Sequence, residues 1–180
     1  MSNPVIDKLI DLAHHEVGVR EGVVNNTGAR IEEYQGATWL QPGAWPWCAA
    51  FTCWLMREVL EDEAARQSLA GFMKRDSISF AQAEKLRCRD ASAFGWEKWA
   101  RAAGVQVLDE RQLARRGDFI VFDFSHIGVV VDDQRSPGDL VQTIEGNTNG
   151  KGERDSTSGD GVWRKARAPS LTRSYIRIFH

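Results

Sequence analysis

Trp45-Pro46-Trp47-Cys48-Ala49-Ala50-Phe51 sets a cysteine directly after a Pro-Trp break, at the head of an apolar run that continues to Met56. Proline disfavours helix for the residue before it and suits the first turn of a helix that follows. Cys48 is therefore expected at the first turn of a buried helix running to about Leu60. Unpaired N–H groups and the positive end of the helix dipole stabilise a thiolate there, and the thiolate is the nucleophilic form. A cysteine beside Ala and Phe also reads as a small buried hydrophobe. The two readings are separated by what lies further along the chain.

Upstream of this stretch, Asn3 can cap a helix with Pro4 at its first position. Val5, Ile6, Leu9, Ile10, Ala13 and Val17 then recur at helical spacing, and Gly18 stops it. A loop over residues 22–28 precedes a short helix over 29–34, and 38–46 is irregular. Downstream, residues 61–90 are charged and helical by propensity, broken near Gly71 and Asp76 into two short helices. Ser92 caps another helix, which Gly104 ends. The pattern then changes. Residues 105–108, 119–124, 127–131, 140–144, 162–164 and 175–179 are short, β-rich runs separated by turn residues. Helices first and strands later predict an α+β fold, with N-terminal helices packed on a C-terminal antiparallel sheet of five or six strands. Residues 146–161, rich in Gly, Ser, Thr, Asn and Asp, read as a long loop of the kind that carries function.

The 180 residues, 42% hydrophobic and 27% charged, suit one soluble domain over 1–180 with a proper core. A net charge of −2 offers no basic footprint for nucleic acid. No apolar run approaches membrane-spanning length. The start lacks a basic segment followed by a long apolar core, so synthesis in the cytoplasm without a signal peptide is expected. Any target outside the cell is then reached by release or injection. The three cysteines, Cys48, Cys53 and Cys88, are odd in number and form no CxxC pair. A disulfide framework or structural zinc site is not expected, and Cys53 and Cys88 read as packing residues. Among seven tryptophans, Trp39, Trp45, Trp96 and Trp163 sit near Gly, Pro or polar neighbours. They are candidates for a groove holding sugar or peptide, though core packing suits most of them.

A cysteine nucleophile needs a base within hydrogen-bond reach, and the base needs a group to orient it. His14 and His15 close the first helix and His180 ends the chain, so all three read as surface residues. His126 lies between two apolar strand runs, in Asp123-Phe124-Ser125-His126-Ile127-Gly128, which suits a fixed base. In a meander, residues 140–144 lie beside 127–131, bringing Glu145 or Asn147 near His126. Either side chain can accept a hydrogen bond from one imidazole N–H and fix the tautomer.

Four segments now carry a resemblance: Pro46-Trp47-Cys48-Ala49-Ala50-Phe51, Arg116-Gly117-Asp118-Phe119-Ile120-Val121-Phe122, Ser125-His126-Ile127-Gly128-Val129-Val130 and Ile144-Glu145-Gly146-Asn147-Thr148. In order and type they resemble the CHAP family of cysteine, histidine-dependent amidohydrolases/peptidases. The resemblance takes in nearly the whole chain; residues 61–90 lie outside it and look like a helical insertion. It implies a papain-like core and cleavage of a peptidoglycan amide, in the stem peptide or crossbridge or between muramic acid and L-alanine. It implies Cys48 as nucleophile, His126 as base and Glu145 as the orienting group, with Asn147 positioning that group or donating a hydrogen bond. Trp45, Trp47 and the loop containing Asn149 are candidate groove walls, with a core role equally open for Trp47. Some members carry an acidic calcium loop; here residues 22–28 offer only Asn25 and Asn26, and no cofactor or metal is expected. The implied partner is bacterial peptidoglycan, met by a monomer acting as a phage lysin or as an injected antibacterial effector. An effector implies a cognate immunity protein. Two other readings stay open: the same chemistry on a non-peptidoglycan amide, and a non-catalytic wall-binding module.

Overall fold

The computed structural model describes residues 3–151 and 160–180. These form helices α1 Pro4–Glu16, α2 Ala29–Gln35, α3 Cys48–Val59, α4 Glu63–Phe72, α5 Phe80–Leu86 and α6 Ala93–Ala103. The strands are β1 Gln106–Asp109, β2 Phe119–Phe122, β3 Ile127–Val130, β4 Val141–Thr148, β5 Gly161–Arg167 and β6 Thr172–Arg177. The helix ends follow local chemistry. The Asn3 side chain accepts from the N–H groups of Val5 and Ile6, with Pro4 at the first helical position. Ser79 and Gln82 close a capping box on α5, and Ser92 caps α6. Gly104 takes the left-handed conformation that ends α6.

The six strands make one sheet in the order β1-β6-β2-β3-β4-β5, every pair antiparallel. Strands β2 to β5 form a meander, β6 returns to the far side of β2, and β1 is the edge beyond it. Helix α3 packs on β3 and β4, with α1 and α2 on α3; α6 packs on β1, β2 and β6. All of α3 is buried except Arg57 and Glu58. Side chains alternate across the sheet. Phe119, Val121, Ile127, Val129 and Ile144 join the helices in the main core. Ile120, Phe122, Val130, Val141 and Tyr175 form a second, smaller cluster on the opposite face. Cover on both faces explains why β2 and β3 read as unbroken apolar runs.

Three strands run longer than their apolar residues suggest. β4 continues past Ile144 to Thr148, β5 reaches Arg167, and β6 begins at Thr172. The added residues are held by backbone pairing, such as Gln142 with Ala166 and Val141 with Arg167, which does not depend on side-chain polarity. The stretch 61–90 carries α4 and α5, and its Ala65, Leu69, Ala70, Ile78, Ala83 and Cys88 belong to the main core. Among the described residues, no helix is long and apolar enough to cross a membrane.

Candidate active site

Cys48 is the first residue of α3, and no side chain among the described residues caps that helix end. The free first-turn N–H groups and the dipole therefore act on whatever the sulfur carries. Cys48 is buried but retains 7% of its surface, whereas Cys53 and Cys88 have none. His126 sits in the turn between β2 and β3, where Ser125 adopts φ 60°. Its carbonyl accepts from the Phe122 N–H at 2.9 Å, which pins the turn. The imidazole lies parallel to the Phe124 ring, with centroids 5.6 Å apart and an interplanar angle of 9°, and stacks on Phe122 at 5.8 Å.

Glu145 reaches this ring from β4. The register that pairs Val129 with Ile144 sets Glu145 across from Gly128. A Cβ on Gly128 would lie 2.6 Å from Glu145 Cγ, so only glycine leaves room for that side chain. Glu145 Oε2 lies 2.9 Å from His126 Nε2. An ionised carboxylate only accepts, so Nε2 carries the proton and Nδ1 is left for Cys48. The Cys48 side chain acts on the imidazole as hydrogen-bond partner and as a charge. Burial favours the neutral ring, but Cys48 and then Glu145 outweigh it and push the His126 pKa up to about 10. The site thus favours an imidazolium beside the sulfur.

Glu145 has no exposed surface. Arg167 Nε donates to its Oε1 at 2.9 Å and to its Oε2 at 3.2 Å, and Nη2 donates to Oε2 as well. The Thr143 hydroxyl donates to Oε1. Burial pushes this carboxyl up, but Arg167 and then His126 hold it down at about 2. Arg167 is itself buried, and its guanidinium lies 5.4 Å from the Phe122 ring centroid and 5.6 Å from that of Phe124.

The other candidates fall differently. Asn147 occupies the irregularity in β4 between Glu145 and Thr148 with φ 57°. Its Oδ1 is buried and has no hydrogen-bond partner among the described residues, so Glu145, and not Asn147, holds the imidazole in this structure. Asn149 binds the Lys151 N–H through its side chain, and its carbonyl accepts from Lys165. Trp45 is half-buried against the core, with its indole N–H donated to the Gln41 carbonyl. Trp47 is corrected from a groove wall to a core residue. It has no exposed surface, stacks on Tyr34 at 5.5 Å and donates its N–H to Glu21 at 2.8 Å. The part of the proposed loop over 152–159 lies outside the described residues.

Sequence reasoning missed Arg167, Thr143 and the stacking pair Phe122 and Phe124. Thr143 is a polar position inside a predicted strand and Arg167 lies beyond the end of one, and only the pairing of β4 with β5 shows what they face. Gly128 was visible within the quoted motif, but its reason is the close approach of Glu145.

The described residues hold no cluster of three or more His, Cys, Asp or Glu side chains able to bind a metal ion. A thiol beside an imidazole fixed by a carboxylate can attack a carbonyl carbon and hand a proton to the leaving group. No protein-family model matches the chain, and no curated protein matches it.

Proposed function

We propose that this protein is a cysteine hydrolase that cleaves an amide bond of bacterial peptidoglycan through an acyl-enzyme. The observation that carries the reading is His126, which interacts with Cys48 on one side and is bound by the buried Glu145 on the other. The Cys48 thiolate attacks the amide carbonyl, and the oxygen becomes an oxyanion that the uncapped N–H groups at the start of α3 can receive. The His126 imidazolium donates its proton to the leaving nitrogen as the C–N bond breaks, leaving a thioester on Cys48. His126, now neutral, takes a proton from water. The hydroxide adds to the thioester and expels the thiolate, releasing the new carboxyl product and restoring the ion pair. Glu145 orients the ring throughout and offsets the charge that forms on it.

The choice of peptidoglycan rests on the resemblance in four ordered motifs, and two settings fit such an activity: a lysin released with a phage, or an injected effector paired with an immunity protein. Purified bacterial walls test it. The wild-type protein is expected to lower turbidity and release new amines and soluble muropeptides characteristic of one cleaved amide bond, identified by mass spectrometry. Cys48→Ala is expected to release none. Walls left intact by a folded wild-type protein whose Cys48 still reacts with alkylating agents would overturn the substrate and leave the thiol chemistry to another amide.

A further inference from the structure

We infer that Arg167 is a positioning residue that anchors Glu145 in line with His126, extending the site to a chain of Cys48, His126, Glu145 and Arg167. The inference rests on the catalytic reading above and adds a residue to it.

Glu145 is fully buried, and a buried carboxylate persists as an anion only when its charge is compensated and its lone pairs are bound. Side chains from β5, from β4 itself and from the turn before β3 do this. Arg167 from β5 grips both carboxylate oxygens through Nε and Nη2. Thr143, two residues earlier on β4, donates to Oε1, and His126 donates to Oε2 from the turn that leads into β3. A planar fork bound at two points fixes both the position and the plane of the carboxylate, which a lysine ammonium cannot do. Phe122 and Phe124 extend the restraint. Both lie against the His126 ring and the Arg167 guanidinium, so imidazole and guanidinium are held by the same two aromatic rings as well as by Glu145.

Among the described residues, the charged groups acting on Glu145 are Arg167 and His126, and the groups acting on His126 are Cys48 and Glu145. Without Arg167, burial pulls Glu145 toward its neutral acid. A neutral Glu145 no longer stabilises the imidazolium, and the thiolate–imidazolium pair gives way to thiol and imidazole.

The test uses Arg167→Met, Arg167→Lys, Glu145→Gln and the double variant Glu145→Gln/Arg167→Met. The first readout is the pH profile of Cys48 alkylation by iodoacetamide, which needs no wall substrate. The second is amine release from purified walls. Arg167→Met is expected to move alkylation to higher pH and lower wall cleavage by about 10–100-fold, the range seen when the partner that orients a metal-bound histidine is lost. Arg167→Lys is expected to recover part of both. The double variant, which removes the Glu145–Arg167 pair together, is expected to match Glu145→Gln alone, because the effect of Arg167 on His126 is carried by Glu145. An alkylation profile of unchanged shape in Arg167→Met, or a double variant whose losses multiply, overturns the inference. Normal alkylation shifts with no wall cleavage by wild type overturn the peptidoglycan reading and leave this one standing.

Discussion

Adding one methyl group at Gly128 is expected to uncouple His126 from Glu145 without altering any ionisable residue. The Cβ of Gly128→Ala would lie 2.6 Å from Glu145 Cγ and 2.9 Å from the Ile144 carbonyl oxygen, where ordinary contact begins at 3.4 Å. The β4 backbone at Ile144 must shift, and the carboxylate side chain must give way by about 0.8 Å to restore ordinary contact. Spent along the 2.9 Å bond to His126, that displacement carries it to 3.7 Å, beyond hydrogen-bond range. Overpacking of this kind costs about 1–3 kcal/mol of stability. A misplacement near 1 Å in a catalytic constellation costs on the order of 10²-fold in rate. The expected result is a folded protein, with a thermal midpoint lowered by several degrees, that releases amines from walls about 10²-fold more slowly. The His126 Nε2–H proton resonance, which needs no substrate, is expected to exchange faster and move upfield as its bond to Glu145 weakens. Gly138→Ala is the control, because nothing lies within 4 Å of its added Cβ. A Gly128→Ala protein that keeps the wild-type rate and the wild-type Nε2–H resonance would refute the claim that glycine there makes room for the orienting carboxylate.

Two further outcomes follow from the same geometry. The His126 pKa stands well above its ordinary 6.5 because Cys48 and Glu145 outweigh burial. Cys48→Ala removes the larger of those favourable influences, so the imidazolium should lose its proton at a lower pH than in wild type; ring NMR titration reads this, and an unmoved midpoint contradicts the Cys48–His126 contact. Of the three cysteines, only Cys48 retains exposed surface, while burial and the neighbouring Cys53 push the Cys88 thiol far up. Native protein should therefore titrate one fast thiol and denatured protein three, and two fast thiols in the native state would place Cys53 or Cys88 within reach of solvent.

Much of the helical half is written in local chemistry. Asn3-Pro4, Ser79, Ser92 and Gly104 act within one turn of the helix ends they set, so their effect is readable without knowing the fold. The strand lengths are less readable. Lys165, Arg167 and Asn147 carry no apolar signal, and they belong to strands because a neighbouring backbone pairs with the segment that holds them. Trp47 shows the same limit. Its neighbours in the chain leave a groove wall and a core position equally open, and Tyr34, thirteen positions earlier, stacks on it while Glu21 receives its N–H.

Two things about the site were decided by sequence alone. Pro46 and the apolar run behind it set Cys48 at a helix start, and the short runs on either side of His126 confine that residue to a turn between strands. Both are effects of neighbours in the chain, which act before any long-range contact forms. The choice between Glu145 and Asn147, and the presence of Arg167 behind the winner, belonged to tertiary structure. Glu145 meets His126 across 19 residues and Arg167 across 22, and strand pairing between β3, β4 and β5 is what brings them together. A strand turns each successive side chain to the opposite face, so the register that points Glu145 at the imidazole also decides which residue of β5 stands behind it.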